Sequence, residues 1–168
     1  VLCKTIKKIG HRVGVATNGL KISNKKYLKE LRKNRLYNIH LSLNGVDNDD
    51  WYKQIDGIKC SKKKLQALDN LHELKYILDI GTIIVKGIND DAPRQMINLL
   101  KSKNIKNVIW RVKNVGQIGN FMRETTENYT MEGLIKLVSA QLNIPIKKIN
   151  KFRNKLLYKN TEPESTTF

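Results

Sequence analysis

Two hydrophobic periods take turns along this chain. Between Leu36 and Leu43, the apolar Ile39, Leu41 and Leu43 alternate with His40, Ser42 and Asn44, the two-residue repeat of a strand. The run ends at Asn44-Gly45 and meets the polar turn Asp47 to Asp50. Arg12 to Ala16 is a shorter apolar run of the same kind, ending at Thr17-Asn18-Gly19. Ile77 to Val85 is almost continuously apolar and β-branched, the pattern of a parallel strand covered on both faces. Asn107 to Lys113 adds a fourth strand, with Val108, Ile109, Trp110 and Val112.

Helical spacing fills the intervals. Leu2, Ile6 and Ile9 place a helix over Val1 to Ile9, stopped by Gly10. Ser23 is the expected N-cap of a helix to about Lys33, with Tyr27, Leu28 and Leu31 inward. Asp47 to Asp56 is a loop or short helix holding Trp51 and Tyr52. Ser61 opens a long helix with Leu65, Leu68, Leu71, His72 and Leu74 on its buried stripe. Lys86 to Asn89 leave the third strand, and Asn89 caps a helix to about Lys103, with Asp90 and Asp91 in its first turn and Pro93 where no N–H is needed. Asn114 to Asn120 is a glycine-containing loop. Thr130 caps Met131 to Leu142, Ile144-Pro145 breaks the chain, and a basic helix runs from Ile146 to about Tyr158.

The order is α-β-α-β-α-β-α-β, then two helices. Strands alternating with helices imply right-handed βαβ units and a parallel sheet. The expected fold class is therefore α/β, four parallel strands with helices on one side, an arc that suits half a barrel. Residues 1–125 form the partial barrel, 126–159 a helical extension and 160–168 a polar, disordered tail. Both outer strands of such an arc would expose unpaired backbone. With a first residue of Val rather than Met, this suggests the later part of a longer protein.

Length and charge narrow the picture. A chain of 168 residues with 40% hydrophobic content makes one ordinary domain. No apolar run approaches the ~20 residues that span a bilayer. The net charge is +17. It reads either as lysine-rich solvated helix faces, as in proteins from AT-rich genomes, or as a surface for a polyanion. The lysines are spread over nearly every helix with no aromatics between them, which favours solvated faces; a basic nucleic-acid-binding module, using the lysine-rich helices around Ser61 to Lys64 and Ile146 to Lys159, stands as the alternative function. Cys3 and Cys60 are far apart and belong to no metal-ligand series, which points to a reducing, cytoplasmic setting. No Ser-His-Asp series, carboxylate pair, P-loop or dinucleotide fingerprint is present.

The strand ends carry more. Thr17-Asn18-Gly19, Ser42-Leu43-Asn44-Gly45, the exit Ile83-Ile84-Val85-Lys86-Gly87-Ile88-Asn89-Asp90 and the stretch Arg111 to Gly119 fall on successive strands in order. Together with Asn128 to Glu132 they resemble the radical S-adenosylmethionine (SAM) superfamily, in the branch of the molybdenum-cofactor cyclases, over residues 1–135. The resemblance implies a partial six-stranded β/α barrel, of which this chain supplies strands three to six of the radical SAM core plus C-terminal helices. It implies a [4Fe-4S] cluster on a C-x-x-x-C-x-x-C run that cleaves SAM reductively, so that a deoxyadenosyl radical takes hydrogen from a substrate. That run and the Gly-Gly-Glu motif of the second strand do not occur here, so the cluster ligands are expected in a missing N-terminal part. An electron donor such as flavodoxin or ferredoxin is the implied partner, alongside an unknown substrate.

Residue by residue, the resemblance makes Ser42 a hydrogen-bond partner of SAM and puts Thr17, Asn18 and Asn44 on the rim that faces SAM or substrate. Val115 and Gly116 match an exit whose backbone meets the adenine, and Arg111 points its charge at a carboxylate or phosphate. Thr17, Ser42 and Gly116 should then converge on one adenosyl-sized hollow. The cyclases hold a nucleotide with a lysine inside the fifth strand. Tyr76 to Val85 has none, so that substrate is not implied.

Overall fold

The computed structural model describes residues 5, 6, 8–11, 13–115 and 128–159. In chain order the elements are β1 (Gly14–Thr17), α1 (Lys25–Lys33), β2 (Asn38–Ser42), α2 (Asp49–Ile55), α3 (Ser61–Glu73), β3 (Ile77–Ile84), α4 (Ala92–Ser102), β4 (Val108–Asn114), α5 (Met131–Leu142) and α6 (Ile146–Lys159). The strands form one four-stranded sheet in the order β1-β2-β3-β4, every neighbouring pair parallel. This is the α/β arc that the alternation of periods predicts. The expected loop Asn114 to Asn120 lies largely, and the expected tail wholly, outside the described residues, as does most of the helix expected over Val1 to Ile9.

The two faces of the sheet differ completely. Leu41 on β2, Ile80 and Ile84 on β3, and Trp110 on β4 face the helices, where they join Leu28, Ala67, Leu68, Met96 and Leu100 in one core. The opposite face carries His40 and Ser42, Asp79 and Gly81, and Ile109, Arg111 and Lys113, because side chains alternate along a strand. No described helix covers that face, and Ile77 and Ile109 stand 62% and 51% exposed on it. The expectation that β3 is covered on both faces is thus corrected. Asp79 and Gly81 are buried, but it is the His40 and Arg111 side chains that lie against them.

Local chemistry displaces two of the three expected caps. Asn24, not Ser23, caps α1: its Oδ1 accepts from the N–H groups of Lys26 and Tyr27 at 2.9 and 3.3 Å. Ser23 instead donates its hydroxyl to the Leu20 carbonyl at 2.7 Å. Asn89 does not cap α4, whose N-cap position is Asp91; Asn89 is fully buried inside the turn after β3. The acids expected inside the first turn precede it, and the Asp90 carboxylate accepts from the Gly87 N–H. Thr130 does cap α5, accepting from the Gly133 N–H at 3.1 Å. On α3, His72 is exposed and Leu65 and Leu74 half-buried, whereas Lys64, Ala67, Leu68, Asn70 and Leu71 are buried. Tyr27 points outward on α1, 43% exposed, while Leu28 is the residue fully buried there. α5 shares the core through Leu134, and Gln141 donates to the Asp90 carbonyl at 2.6 Å.

Gly45 ends the β2 run because nothing larger fits. A Cβ there would sit 2.6 Å from a ring carbon of the buried Tyr52 and 2.8 Å from the Asn48 carbonyl oxygen. Gly45→Ala is expected to lower stability by about 1–3 kcal/mol through overpacking. Urea denaturation reads this directly, and an unchanged midpoint would contradict the packing described.

Candidate functional site

The open face holds two cross-sheet rows. One is Ser42 on β2, Gly81 on β3 and Arg111 on β4, all in register. The other, one pleat toward the strand starts, is Ala16, His40, Asp79 and Ile109. The first row meets β2 at its last residue and crosses β3 and β4 mid-strand, so only its Ser42 end lies at the C-terminal edge where parallel α/β sheets keep their ligand sites. Asp79 is the hub. Its Oδ1 accepts from His40 Nδ1 at 3.0 Å and from Arg111 Nε at 3.0 Å, with Oδ2 3.3 Å from the same Nε. Burial pushes the Asp79 carboxyl up, but the hydrogen bonds from Arg111 and His40 outweigh it and hold the group below the usual carboxylate range. Gly81 makes room for the His40 ring: a Cβ would come within 2.5 Å of Nε2. Ser42 Oγ makes no hydrogen bond among the described residues, and 54% of the Arg111 side chain is exposed.

A buried polar network carries the tip of β2 from behind. Lys64, with only 1% of its side chain exposed, donates from Nζ to the Asp56 carboxylate at 2.7 Å and to the Ser42 carbonyl at 3.1 Å. The same ammonium lies 4.9 Å above the centre of the Tyr52 ring. Asp56 also accepts from the Asn44 side-chain amide at 2.8 Å. Asn44 Oδ1 accepts from the Ile83 N–H at 3.0 Å. The Asn44 carbonyl accepts from Asn89 Nδ2 at 2.9 Å, and Asn89 Oδ1 accepts from the Val85 N–H at 2.7 Å. Thr82 Oγ1 ties β3 to the Leu43 carbonyl, and Trp110 Nε1 donates to the same hydroxyl. Every buried polar group here has a partner, as burial requires. Spacing could have flagged Lys64, a charge at a core position of α3, and Asp79, a charge inside an apolar strand; each calls for a partner.

The structure sorts the expected rim residues into three groups. Ser42 and Arg111 come together on the open face. Asn44 is 4% exposed and its amide is fully engaged between Asp56 and Ile83, so it supports the rim rather than presenting a free group to it. Thr17 pairs with Leu41 and therefore projects to the helix side, the opposite face from Ser42. Its hydroxyl accepts from the Gly19 N–H at 3.1 Å, and Asn18 Oδ1 accepts from the Leu20 N–H. With Val15, Tyr27, Leu31 and Ile39, both line a groove of about 270 Å³ beneath the β1 edge. The side chains of Thr17 and Ser42 thus do not converge. Val115 directly follows β4, and Gly116 lies outside the described residues.

The residues present do not fit an iron–sulfur cluster. No group of three metal-ligating side chains exists among the described residues. Cys60 is buried and its thiol is pushed up by burial. They do fit an organic ligand with hydroxyl and anionic groups: a free hydroxyl at Ser42 and the outer guanidinium edge of Arg111 share one row. No described helix is long and apolar enough to cross a membrane.

Two outcomes are expected. Lys64→Met leaves Asp56 and the Ser42 carbonyl without their cation and should cost about 3 kcal/mol, the scale of a broken buried pair; a urea midpoint within error of the parent would contradict the network. Asp79 has a depressed carboxyl, so its contribution is fully present above the ordinary unfolded value near 4 and fades as pH falls through the lower folded value. Asp79→Asn should therefore be less stable than the parent by about 2 kcal/mol at pH 7. The gap should close below about pH 4, and a gap constant down to pH 2 would show that no such linkage exists.

Comparison with known proteins agrees with this arrangement. A sequence model of the radical SAM superfamily matches residues 1–100. The chain is 28% identical over 128 residues to the GTP 3′,8-cyclase of Staphylococcus haemolyticus, covering 71% of this chain and 35% of that protein. It is 31% identical over 100 residues to the GTP 3′,8-cyclase of Staphylococcus epidermidis and 32% identical over 100 residues to that of Staphylococcus aureus, each alignment covering 56% of this chain and 27% of the relative. The chain thus spans about a third or less of the curated relatives it matches. A parallel α/β arc with a polar row on its open face, matched over most of its length by that family's model, belongs to the radical SAM superfamily.

Proposed function

We propose that this chain is the SAM-facing segment of an enzyme that cleaves SAM reductively and takes hydrogen from a substrate. The observation that supports the reading is the Ser42–Gly81–Arg111 row on the open face of the sheet in a radical SAM chain, with Ser42 at the end of β2. In this reading a [4Fe-4S] cluster, held by cysteines outside these 168 residues, supplies the electron, which a donor such as flavodoxin or ferredoxin replenishes.

What the chain's own residues do follows from their placement. Ser42 offers a short hydroxyl that can donate to or accept from a ribose or carboxylate oxygen. Gly81 leaves the middle of the row to the His40 ring. Arg111 is held through Nε by Asp79, which leaves its outer N–H pair for an anion. Lys64 and Asp56 fix the backbone that bears Ser42, and Asn44 and Asn89 lock β2 to β3 beneath it. A ligand over this row would meet β1 through the backbone near Asn18, since Thr17 turns its hydroxyl away, and the adenine end is assigned to Val115, just past β4. The reading stops short of GTP, the substrate in the relatives' names: the charged residue of β3 is Asp79, not a lysine.

The test uses the polypeptide that joins this chain to a C-x-x-x-C-x-x-C run, reconstituted anaerobically with iron and sulfide and reduced with dithionite. It should show cluster absorbance and form deoxyadenosine and methionine from SAM. Ser42→Ala should weaken SAM binding about three- to tenfold, the worth of one hydrogen bond. A cluster-loaded protein that forms no deoxyadenosine would overturn the reading.

A further inference from the structure

We infer that His40 is a proton acceptor for the substrate, set in its accepting tautomer by Asp79, and that the group seated there is a hydroxyl next to an anionic group. This rests on the open face being the ligand face, and it deepens that reading by naming the substrate's chemistry.

The geometry is specific. His40 Nδ1 lies 3.0 Å from Asp79 Oδ1, a carboxylate oxygen that can only accept, so the ring proton faces it from Nδ1 and the neutral ring keeps its lone pair on Nε2. The ring lies over Gly81, the residue in register with both Ser42 and Arg111, so Nε2 sits within the upper row rather than behind it. No described residue hydrogen-bonds to Nε2, and 23% of the side chain is exposed. The surroundings on the neighbouring strands are Asp79, whose carboxylate His40 and Arg111 share, and the uncharged Ala16 of β1. Lys113 lies on the same face, farther along β4. Arg111 is anchored through Nε on the same face, with 54% of its side chain exposed.

One carboxylate therefore orients two groups of opposite habit. Arg111 can only donate, and it selects an anion. His40 Nε2 can only accept, and it selects a hydroxyl hydrogen nearby. A hydroxy acid, or a phosphate ester beside a free hydroxyl, satisfies both. The proton step balances without a redox partner. The substrate O–H bond breaks, the proton forms a bond to Nε2, and the electron pair stays on oxygen. The resulting imidazolium is matched by the Asp79 carboxylate beside it, while Arg111 sits near the new alkoxide. His40 would touch substrate; Asp79 is the positioning residue.

The experiment uses the 168-residue chain without cluster or SAM. Long-range ¹H–¹⁵N correlation spectra of the histidines should show neutral His40 protonated on Nδ1. In Asp79→Asn that preference should relax toward Nε2–H. Titration with glycolate, which has a hydroxyl beside its carboxylate, should perturb the His40 ring and bind about five- to tenfold tighter than acetate, the worth of one hydrogen bond. His40→Phe, which keeps a ring over Gly81, should erase that difference while retaining acetate binding. Neutral His40 protonated on Nε2 in the parent, equal affinity for the two acids, or no binding of either would each overturn the inference. None of these outcomes depends on deoxyadenosine formation, so this inference and the proposed function can fail separately.

Discussion

Alternation along a parallel strand is the constraint from which this molecule's chemistry follows. A strand gives every second side chain to each face, and a parallel register passes that parity unchanged from strand to strand. Once Leu41, Ile80 and Trp110 are committed to the helix side, Ser42, Gly81 and Arg111 have no choice but the other. The described helices close over one face only. The polar residues of the strands therefore gather on the open face, where His40, Asp79 and Arg111 hold one another.

Parity alone would leave the strand tips loose, because they are where backbone pairing ends. Here the tips are tied from the helix side by groups that are costly to bury unpaired. Lys64 reaches up from α3 to the Ser42 carbonyl and meets Asp56; Asn44 and Asn89 complete the β2–β3 junction. A buried ion pair contributes little net stability compared with a well-packed apolar substitute, but it tolerates few alternative geometries. Its consequence is a fixed position for the residue that offers a free hydroxyl. The Asp79 hub does the same on the open side, trading a desolvated carboxylate for two oriented partners.

Much of this was legible in the sequence. The periods gave four strands in the right places, and Thr130 gave its cap, because local chemistry decides those features. The order of the strand-end motifs pointed to Ser42 and Arg111, and the register places both on the open face. Asn89 was misread because a side chain's choice between capping a helix and bracing a turn is made by tertiary partners, here Asn44 and Val85. Thr17 was misread because its motif names a rim position, whereas the face depends on register, and register with Leu41 sends it to the helix side. Lys64 and Asp79 broke apolar patterns in plain view. Their meaning lay in partners 8 and 32 residues away.

The account stands on Ser42 and Arg111 sharing one face, two strands apart. Neighbouring strands lie about 4.8 Å apart, so their α-carbons should be about 10 Å apart. The direct measurement is continuous-wave electron paramagnetic resonance on the chain carrying Ser42→Cys and Arg111→Cys, each spin-labelled, with Cys3→Ser and Cys60→Ala. Strong dipolar broadening relative to the two single-label spectra is the predicted result. A double-label spectrum equal to the sum of the singles would place the residues apart and contradict the site.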